Sequence, residues 1–203
     1  MLNEELICSV KGFMDPEEGM RLYSLACEAS TRGPCLEIGS YCGKSALYIG
    51  FACRSNNSTL YSIDHHRGSE EQQPGEEYFD PGLMDPVTLK IDTFRHFRQT
   101  ITLAGLEETV VPIVSDSKTV ARDWTTPLGL VFIDGGHAHE SVLADYALWS
   151  RHVMPGGYLV FHDIFSDPAK GGLAPWRVYT RACADAGYTE CDMTKTLGVL
   201  KRA

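Results

Sequence analysis

The chain has 203 residues, 43% of them hydrophobic and 22% charged, which is typical of a globular protein and excludes a collagen, a coiled coil or a disordered chain. This length suits one domain with an added loop or lid better than two complete domains. The net charge of −9 argues against partners that are bound through a cationic surface, so we expect neither nucleic acid nor a membrane as partner.

Hydrophobic patterns in the first third of the chain predict two helices and two strands. Asp15 followed by Pro16 has the form of a helix start, and an N-terminal helix is predicted at 15–32. Short apolar runs predict strands at 35–38 and 59–63, with a helix at 44–53 between them.

Residues 64–86 form an acidic segment without any helical or strand period. The segment holds seven acids against the one base Arg67, so it carries −6 of the −9. A loop longer than about 15 residues in a compact domain is usually functional or disordered. We expect either a lid over a site or a solvated mobile loop.

The remaining elements continue the alternation of strand and helix. Strands are predicted at 110–114, 128–133 and 158–161, helices at 87–104, 117–123, 141–152 and 176–186, and a turn at 155–157. The last two apolar runs, 188–192 and 197–201, are only four residues apart and must form an antiparallel hairpin. The predicted fold class is therefore α/β, with a mostly parallel seven-stranded sheet and an antiparallel C-terminal strand.

The cysteines favour a reducing compartment. There are seven, an odd number, and they include no CxxC pair, which fits neither a disulfide framework nor a zinc site. We therefore expect a cytoplasmic protein. We expect no signal peptide, because residues 1–14 have early acids and no long apolar run, and no membrane span, because no stretch approaches about 18 consecutive apolar residues.

Polar residues follow each of the five predicted parallel strands, where open parallel sheets bind their ligands. These strand ends are 39–45, 64–66, 115–117, 134–137 and 162–163. In the first of them, Gly39 and Gly43 have three residues between them, one too few for a phosphate-binding P-loop, and the dinucleotide pattern GxGxxG is absent. What remains is a tight turn before a helix N-terminus, a place that favours a carboxylate. Asp64, about 20 residues further on, is placed to accept hydrogen bonds from a ribose.

Together these motifs resemble the class I S-adenosylmethionine (SAM)-dependent methyltransferases, in the branch with an IDGGH, PGG and HD signature. The resemblance is carried by CLEIGSYCGKSALYIG at 35–50, YSIDHH at 61–66, SDS at 115–117 and the stretch from FIDGGH to FHD at 132–163. It implies a Rossmann-like, doubly wound sheet. Asp145 and Trp149 belong to the same signature, and we expect them to serve helix packing.

The resemblance also implies which residues bind the cofactor SAM. The methionine part would lie over a loop that comprises Glu37, Gly39, Ser40 and Gly43, with Ser45 near its carboxylate. Asp64 would hold the ribose with His65 beside it, and Asp116 the adenine amine with Ser117 nearby. Asp116 is nearly as well suited to cap the following helix.

The histidines and acids at the last two strand ends are the candidate catalytic groups. Methyl transfer needs an acceptor lone pair aligned behind the sulfonium methyl, and a base only where the acceptor must lose a proton. His137 is the predicted base, with Asp134 as a second catalytic residue. Asp134, His162 and Asp163 could share Mg²⁺ or Mn²⁺ and polarise an acceptor hydroxyl, as in related metal-dependent O-methyltransferases. A ligand set that includes His66 or His137 stays open.

The sequence therefore predicts that residues 1–203 form a single class I methyltransferase domain that acts on a small molecule. The preferred methyl acceptor is a hydroxyl oxygen. The charge of the 64–86 segment favours a neutral or cationic acceptor. Alternatives are a cofactor-binding protein without transfer activity and a dinucleotide-binding oxidoreductase. A homodimer is compatible with the sequence.

Overall fold

A seven-stranded sheet forms the centre of the molecule in the computed structural model, which describes residues 2–136 and 138–203. The strands are β1 (Cys35–Ile38), β2 (Leu60–Asp64), β3 (Val110–Val114), β4 (Leu128–Ile133), β5 (Val153–Phe161), β6 (Tyr188–Thr194) and β7 (Leu197–Arg202). Their order in the sheet is β3-β2-β1-β4-β5-β7-β6. Strands β1 to β5 are parallel, whereas β7 runs antiparallel to β5 and β6. The predicted fold class is confirmed.

Helices cover both faces of this sheet. In the described ranges they are α1 (Glu4–Ser9), α2 (Pro16–Ala29), α3 (Lys44–Ser55), α4 (Phe94–Ala104), α5 (Ser117–Ala121), α6 (His139–Trp149) and α7 (Leu173–Cys183). Short 3-10 helices lie at Glu70–Gln72, Pro81–Leu83 and Ser150–His152. Asp15 caps α2 as its sequence predicts, since its side chain accepts a 2.8 Å hydrogen bond from the amide of Glu17. Among the described helices, none has the length and apolar character needed to cross a bilayer.

The core has two layers because successive residues of a strand point to opposite faces of the sheet. In β4, Leu130 and Phe132 pack with α2, α3 and α4 on one face. Val131 and Ile133 pack with α6 and α7 on the other. Both faces of β4 are thereby buried, which explains its continuous apolar sequence.

The helix predicted at 87–104 begins only at Phe94, so the prediction was wrong for its first seven residues. The side chain of Asp85 accepts hydrogen bonds from the amides of Val87 and Thr88, at 3.1 and 2.6 Å, and closes a tight turn. Leu89 has a positive φ of 53°, and Val87 is 86% exposed. Local side-chain bonds of this kind compete with helix formation.

A second correction concerns residues 155–157, which were predicted to be a turn before the fifth strand. They lie inside β5, which starts at Val153 and shifts register against β4 between Leu128 and Leu130. Gly156, with φ 75°, supplies the backbone conformation that this irregularity requires.

The strand order reverses between β1 and β4. Strands β2 and β3 lie on one side of this point and β5 on the other. The loops after β1 and β4 therefore diverge to opposite faces and leave a crevice at the carboxyl ends of the parallel strands. This crevice is where the predicted site residues converge.

Candidate active site

A cavity of about 720 Å³ opens at the carboxyl ends of the parallel strands. All five strand ends contribute to its wall. The predicted site residues on the wall are Gly39, Ser40, Ser45, Asp64, His65, Asp116, Ser117, Asp134, His162 and Asp163. His137, the predicted base, lies outside the described residues. The remaining two predicted residues, Glu37 and Gly43, are not among the lining residues.

The loop after β1 depends on its first glycine. Gly39 has a positive φ of 86°, and a Cβ atom at this position would overlap the backbone carbonyl of Asp134. The loop can therefore touch the end of β4 only because this residue has no side chain. Next to it the hydroxyl of Ser40 is buried on the cavity wall and finds no hydrogen-bond partner among the described residues.

Glu37 lies beneath this loop with no exposure to solvent. Its carboxylate accepts hydrogen bonds from the hydroxyls of Ser45, at 2.9 Å, and Ser62, at 2.6 Å. Burial raises the pKa of Glu37 to about 8; the two hydroxyls oppose this shift and the neighbouring carboxylates of Asp134 and Asp64 reinforce it. Glu37 thus holds the hydroxyl of Ser45, which does line the cavity wall.

Asp64 ties the end of β2 to the glycine loop. Its Oδ2 accepts hydrogen bonds from the amides of Ser40 and Tyr41, both at 2.9 Å, and its Oδ1 from the amide of His66 at 2.7 Å. A carboxylate has about four acceptor positions, so about one remains for a ligand. His65 lies beside it with a half-exposed side chain.

Asp116 and Ser117 connect the end of β3 with helix α6. Asp116 caps α5, since its side chain accepts a hydrogen bond from the amide of Lys118 at 2.9 Å. The hydroxyl of Ser117 donates to the carboxylate of Asp145, which also lines the cavity. Burial raises the pKa of Asp145 to about 6. Its expected role in helix packing was therefore too narrow, whereas Trp149 is fully buried in the core.

Asp134, His162 and Asp163 form a cluster at the ends of β4 and β5. The Nδ1 atom of His162 lies 3.1 Å from Oδ1 of Asp134 and 3.3 Å from Oδ2 of Asp163. One potential ligand atom from each of the three residues lies within 4.8 Å of the others. Burial disfavours a charged imidazole, but the surrounding carboxylates outweigh it and raise the pKa of His162 far above its usual value.

Glu18 and Thr196 complete this cluster and were not predicted as site residues. Oε2 of Glu18 lies 3.1 Å from Nε2 of His162, and Oε1 accepts hydrogen bonds from the amide and the hydroxyl of Thr196, both at 2.7 Å. In the sequence Glu18 looks like an ordinary acid in the first turn of a helix. Its distance of 144 residues from His162 leaves no local signal of the contact.

The acidic segment 64–86 and three aromatic side chains border the outer part of the cavity. Glu76 and Glu77 of this segment line the wall with exposed side chains. The ring of Phe13 lies 5.8 Å from that of Tyr41 and 5.3 Å from that of Tyr78, and all three rings line the cavity. Acids and aromatic faces thus surround the space beyond the glycine loop.

Comparison with known proteins identifies the family of this chain. The family model described as a methyltransferase domain (Methyltransf_24) matches residues 36–164, which is more than half of the chain. The chain therefore belongs to this family of methyltransferases. The resemblance seen in the sequence motifs is confirmed at this level.

Individual relatives are distant. A stretch of 78 residues is 32% identical to the uncharacterized protein R132 of Acanthamoeba polyphaga mimivirus and covers 37% of this chain and 31% of that protein, so the match spans about a third of its length. A crystal structure from Corynebacterium glutamicum superposes with a TM-score of 0.69 at 19% identity and covers 98% of this chain and 86% of that one.

Two solved O-methyltransferases share the fold. TomG of Streptomyces achromogenes, involved in tomaymycin synthesis and solved with SAM, has a TM-score of 0.64 at 16% identity and covers 94% of this chain and 81% of its own. The O-methyltransferase of Bacillus cereus, solved with S-adenosylhomocysteine (SAH), has a TM-score of 0.63 at 16% identity, with coverage of 98% and 88%.

Proposed function

We propose that this chain transfers the methyl group of SAM to a hydroxyl oxygen of a small molecule. The observation that carries the proposal is the convergence of five strand ends on one cavity in a chain that belongs to a methyltransferase family. Two structural neighbours are O-methyltransferases solved with SAM or SAH, which supports the same cofactor and acceptor atom here.

The cofactor would lie along the wall formed by the ends of β1, β2 and β3. Its methionine part would meet Ser45 and the Ser40 hydroxyl, which has no partner among residues 2–136 and 138–203, while Glu37, Gly39 and Gly43 shape the loop. Since Asp64 already accepts three backbone hydrogen bonds, it would bind one ribose hydroxyl and leave the other to His65. Asp116 and Ser117 would border the adenine.

The acceptor hydroxyl would lie at the ends of β4 and β5, beside Asp134. The chain's own contribution is to hold acceptor and methyl group in line, since positioning supplies much of the rate in such a transfer. A hydroxyl must also lose its proton, and Asp134 with His137 is our proposed route for it.

The cluster of Asp134, His162 and Asp163 fits a divalent cation. Two carboxylates and one imidazole nitrogen lie within the spacing of ligands around one ion, and Nδ1 of His162 would release its proton when the ion binds. An imidazole ligand suits Mn²⁺ better than Mg²⁺, which prefers oxygen ligands. A bound cation would polarise the acceptor hydroxyl and favour its deprotonation.

The remaining parts of the proposal concern the whole chain. Residues 1–203 would act as one domain, with the 64–86 segment as a lid over the acceptor.

The seven free cysteines support a reducing, cytoplasmic location. Glu76 and Glu77 on the cavity wall favour a neutral or cationic small molecule over a polyanion such as nucleic acid. We also propose a homodimer, which a mass measurement in solution would test.

Calorimetric titration with SAH, followed by transfer of radiolabelled methyl groups from SAM to a panel of phenols, alcohols and amines with and without Mn²⁺, tests this function. We expect SAH to bind and a hydroxyl compound to be labelled. Asp134→Asn should abolish labelling and leave SAH affinity within about twofold, because Asp134 lies beyond the cofactor loop. Absence of SAH binding would contradict the proposal, and binding without transfer to any compound would favour a cofactor-binding protein.

A further inference from the structure

A buried carboxylate from the first turn of α2 contacts the ring of His162 through the nitrogen that faces away from Asp134 and Asp163. The Nε2 atom of His162 lies 3.1 Å from Oε2 of Glu18, and both side chains are only 4% exposed. The other ring nitrogen, Nδ1, faces the two aspartates. The ring is thus held between carboxylates on its two sides.

The other oxygen of the Glu18 carboxylate already serves as an acceptor. Its Oε1 receives the backbone amide of Thr196, which can only donate, together with the Thr196 hydroxyl. The same carboxylate thus accepts at Oε1 and presents Oε2 to Nε2 of His162, an arrangement that favours the hydrogen of this contact on Nε2.

We propose that Glu18 is a positioning residue that keeps a proton on Nε2 of His162 and fixes the ring so that Nδ1 points at Asp134 and Asp163. The inference rests on the proposed function, because it assigns Nδ1 to the reacting centre. Carboxylates that hold the far nitrogen of a functional histidine fix both its tautomer and its orientation.

The closing hairpin of the sheet secures this arrangement. The carbonyl of Thr196 accepts a 3.0 Å hydrogen bond from the amide of Ile164, two residues after His162. Lys195, in the same turn, lies 2.7 Å from Asp15 at the start of α2. The start of α2, the β6–β7 turn and the segment after β5 are thereby joined in one cycle of bonds around the histidine.

Stability alone does not require a charged pair at this place. Replacing a buried ion pair by apolar side chains of similar volume is often neutral or stabilising, whereas removing one partner is costly. Glu18 therefore does something that an apolar residue of the same size cannot do: it orients the His162 ring.

The test records the ring nitrogens of His162 by long-range ¹H–¹⁵N NMR in the full chain, for the wild type, Glu18→Gln, Glu18→Met and the control Glu17→Gln. Glu17 is the adjacent residue, with a side chain that is 68% exposed. We expect a slowly exchanging Nε2 proton in the wild type and in Glu17→Gln, a weakened one in Glu18→Gln, and a loss of the single ring state in Glu18→Met. Methyl transfer to the acceptor found in the panel should fall at least about tenfold in kcat for Glu18→Met, with SAH affinity within about twofold.

Thr196→Val removes one donor to Glu18 and retains the backbone amide, so it decides the question if Glu18→Met does not fold: the Nε2 proton signal should shift while the protein stays folded. A wild-type ring without a proton on Nε2, or a Glu18→Met or Thr196→Val protein with the wild-type ring signals, overturns the inference. If SAH fails to bind the wild type, the proposed function fails, but the ring signals still test the role of Glu18.

Discussion

Glu37 is an ionisable residue without solvent contact, and its titration should be visible in the stability of the protein. Burial raises its pKa to about 8 from the ordinary value of 4.5, so the folded state binds a proton that the unfolded chain releases. Its contribution to stability is therefore full below about pH 4.5 and is lost as the pH rises towards 8. Glu37→Gln keeps an acceptor for Ser45 and Ser62 without a charge. Between pH 5 and pH 8.5 we expect the free energy of unfolding to fall less in this variant than in the wild type, by on the order of 3 kcal/mol, and Tm to fall less accordingly.

Thermal melts of both proteins across this range check the prediction. His162 also contributes stability that decreases with rising pH, because its pKa is raised in the folded state as well. Only the difference between the two proteins therefore reports on Glu37. Parallel curves for the wild type and Glu37→Gln would show that Glu37 stays ionised in the fold.

Gly39 is the residue on which the contact between the β1 loop and the end of β4 depends. We expect Gly39→Ala to lower the free energy of unfolding by more than about 2 kcal/mol and to weaken SAH binding, because the methyl group would displace the carbonyl of Asp134. Gly75→Ala is the matched control. That glycine also has a positive φ, of 99°, but no atom lies within 4 Å of a Cβ placed there, so only the backbone strain of about 1–2 kcal/mol applies. Equal losses in denaturant unfolding of the two variants would refute the close approach.

At the scale of elements, the strands and the residues that follow them could be predicted from the sequence. A strand buried on both faces, such as β4, is continuously apolar, and the polar residue Asp134 directly after it marks its end. The segment 87–93 was wrongly joined to the following helix: its apolar residues Val87, Leu89 and Ile91 recur at every second position, and Asp85 bonds the backbone into a turn. The contact of Glu18 with His162 was not predictable, since it depends on how α2 docks against the sheet.

The acidic segment 64–86 should act on the acceptor through its charges. Neutralising Glu76 and Glu77 together to glutamine is expected to raise KM for a cationic acceptor about fivefold, with kcat and SAH affinity unchanged, because both residues line the outer cavity and neither lies at a strand end. Glu107 and Glu108 form a matched control, since they are also an exposed pair of glutamates but do not line the cavity. Steady-state kinetics at two salt concentrations measures the effect. A similar KM change in the control pair would reduce the role of the segment to overall charge.

At the scale of the whole molecule, the cavity is built from the ends of strands across the sheet, and one of these strands, β5, is bonded to helix α2 together with the last strand, β7. Tyr158 in β5 donates a 2.7 Å hydrogen bond to Glu28 of α2, and Lys201 of β7 binds the same carboxylate at 3.0 Å. Helix α2, the sheet and the closing hairpin should therefore unfold together. A ligand that binds only the folded state stabilises it by about 2.7 kcal/mol at a concentration of 100 Kd.

For a chain of this size that free energy corresponds to a rise in Tm of roughly 5–10 °C. We expect SAH at 100 times its Kd to shift one cooperative calorimetric transition by this amount, because the cavity, α2 and β7 are linked through the same sheet. NADH at the same concentration should leave Tm unchanged, since the glycine loop lacks the GxGxxG pattern that a dinucleotide needs. Two separate transitions, only one of them sensitive to SAH, would mean that α2 or the hairpin unfolds independently of the cofactor cavity, and a shift with NADH but not SAH would reverse the choice of cofactor.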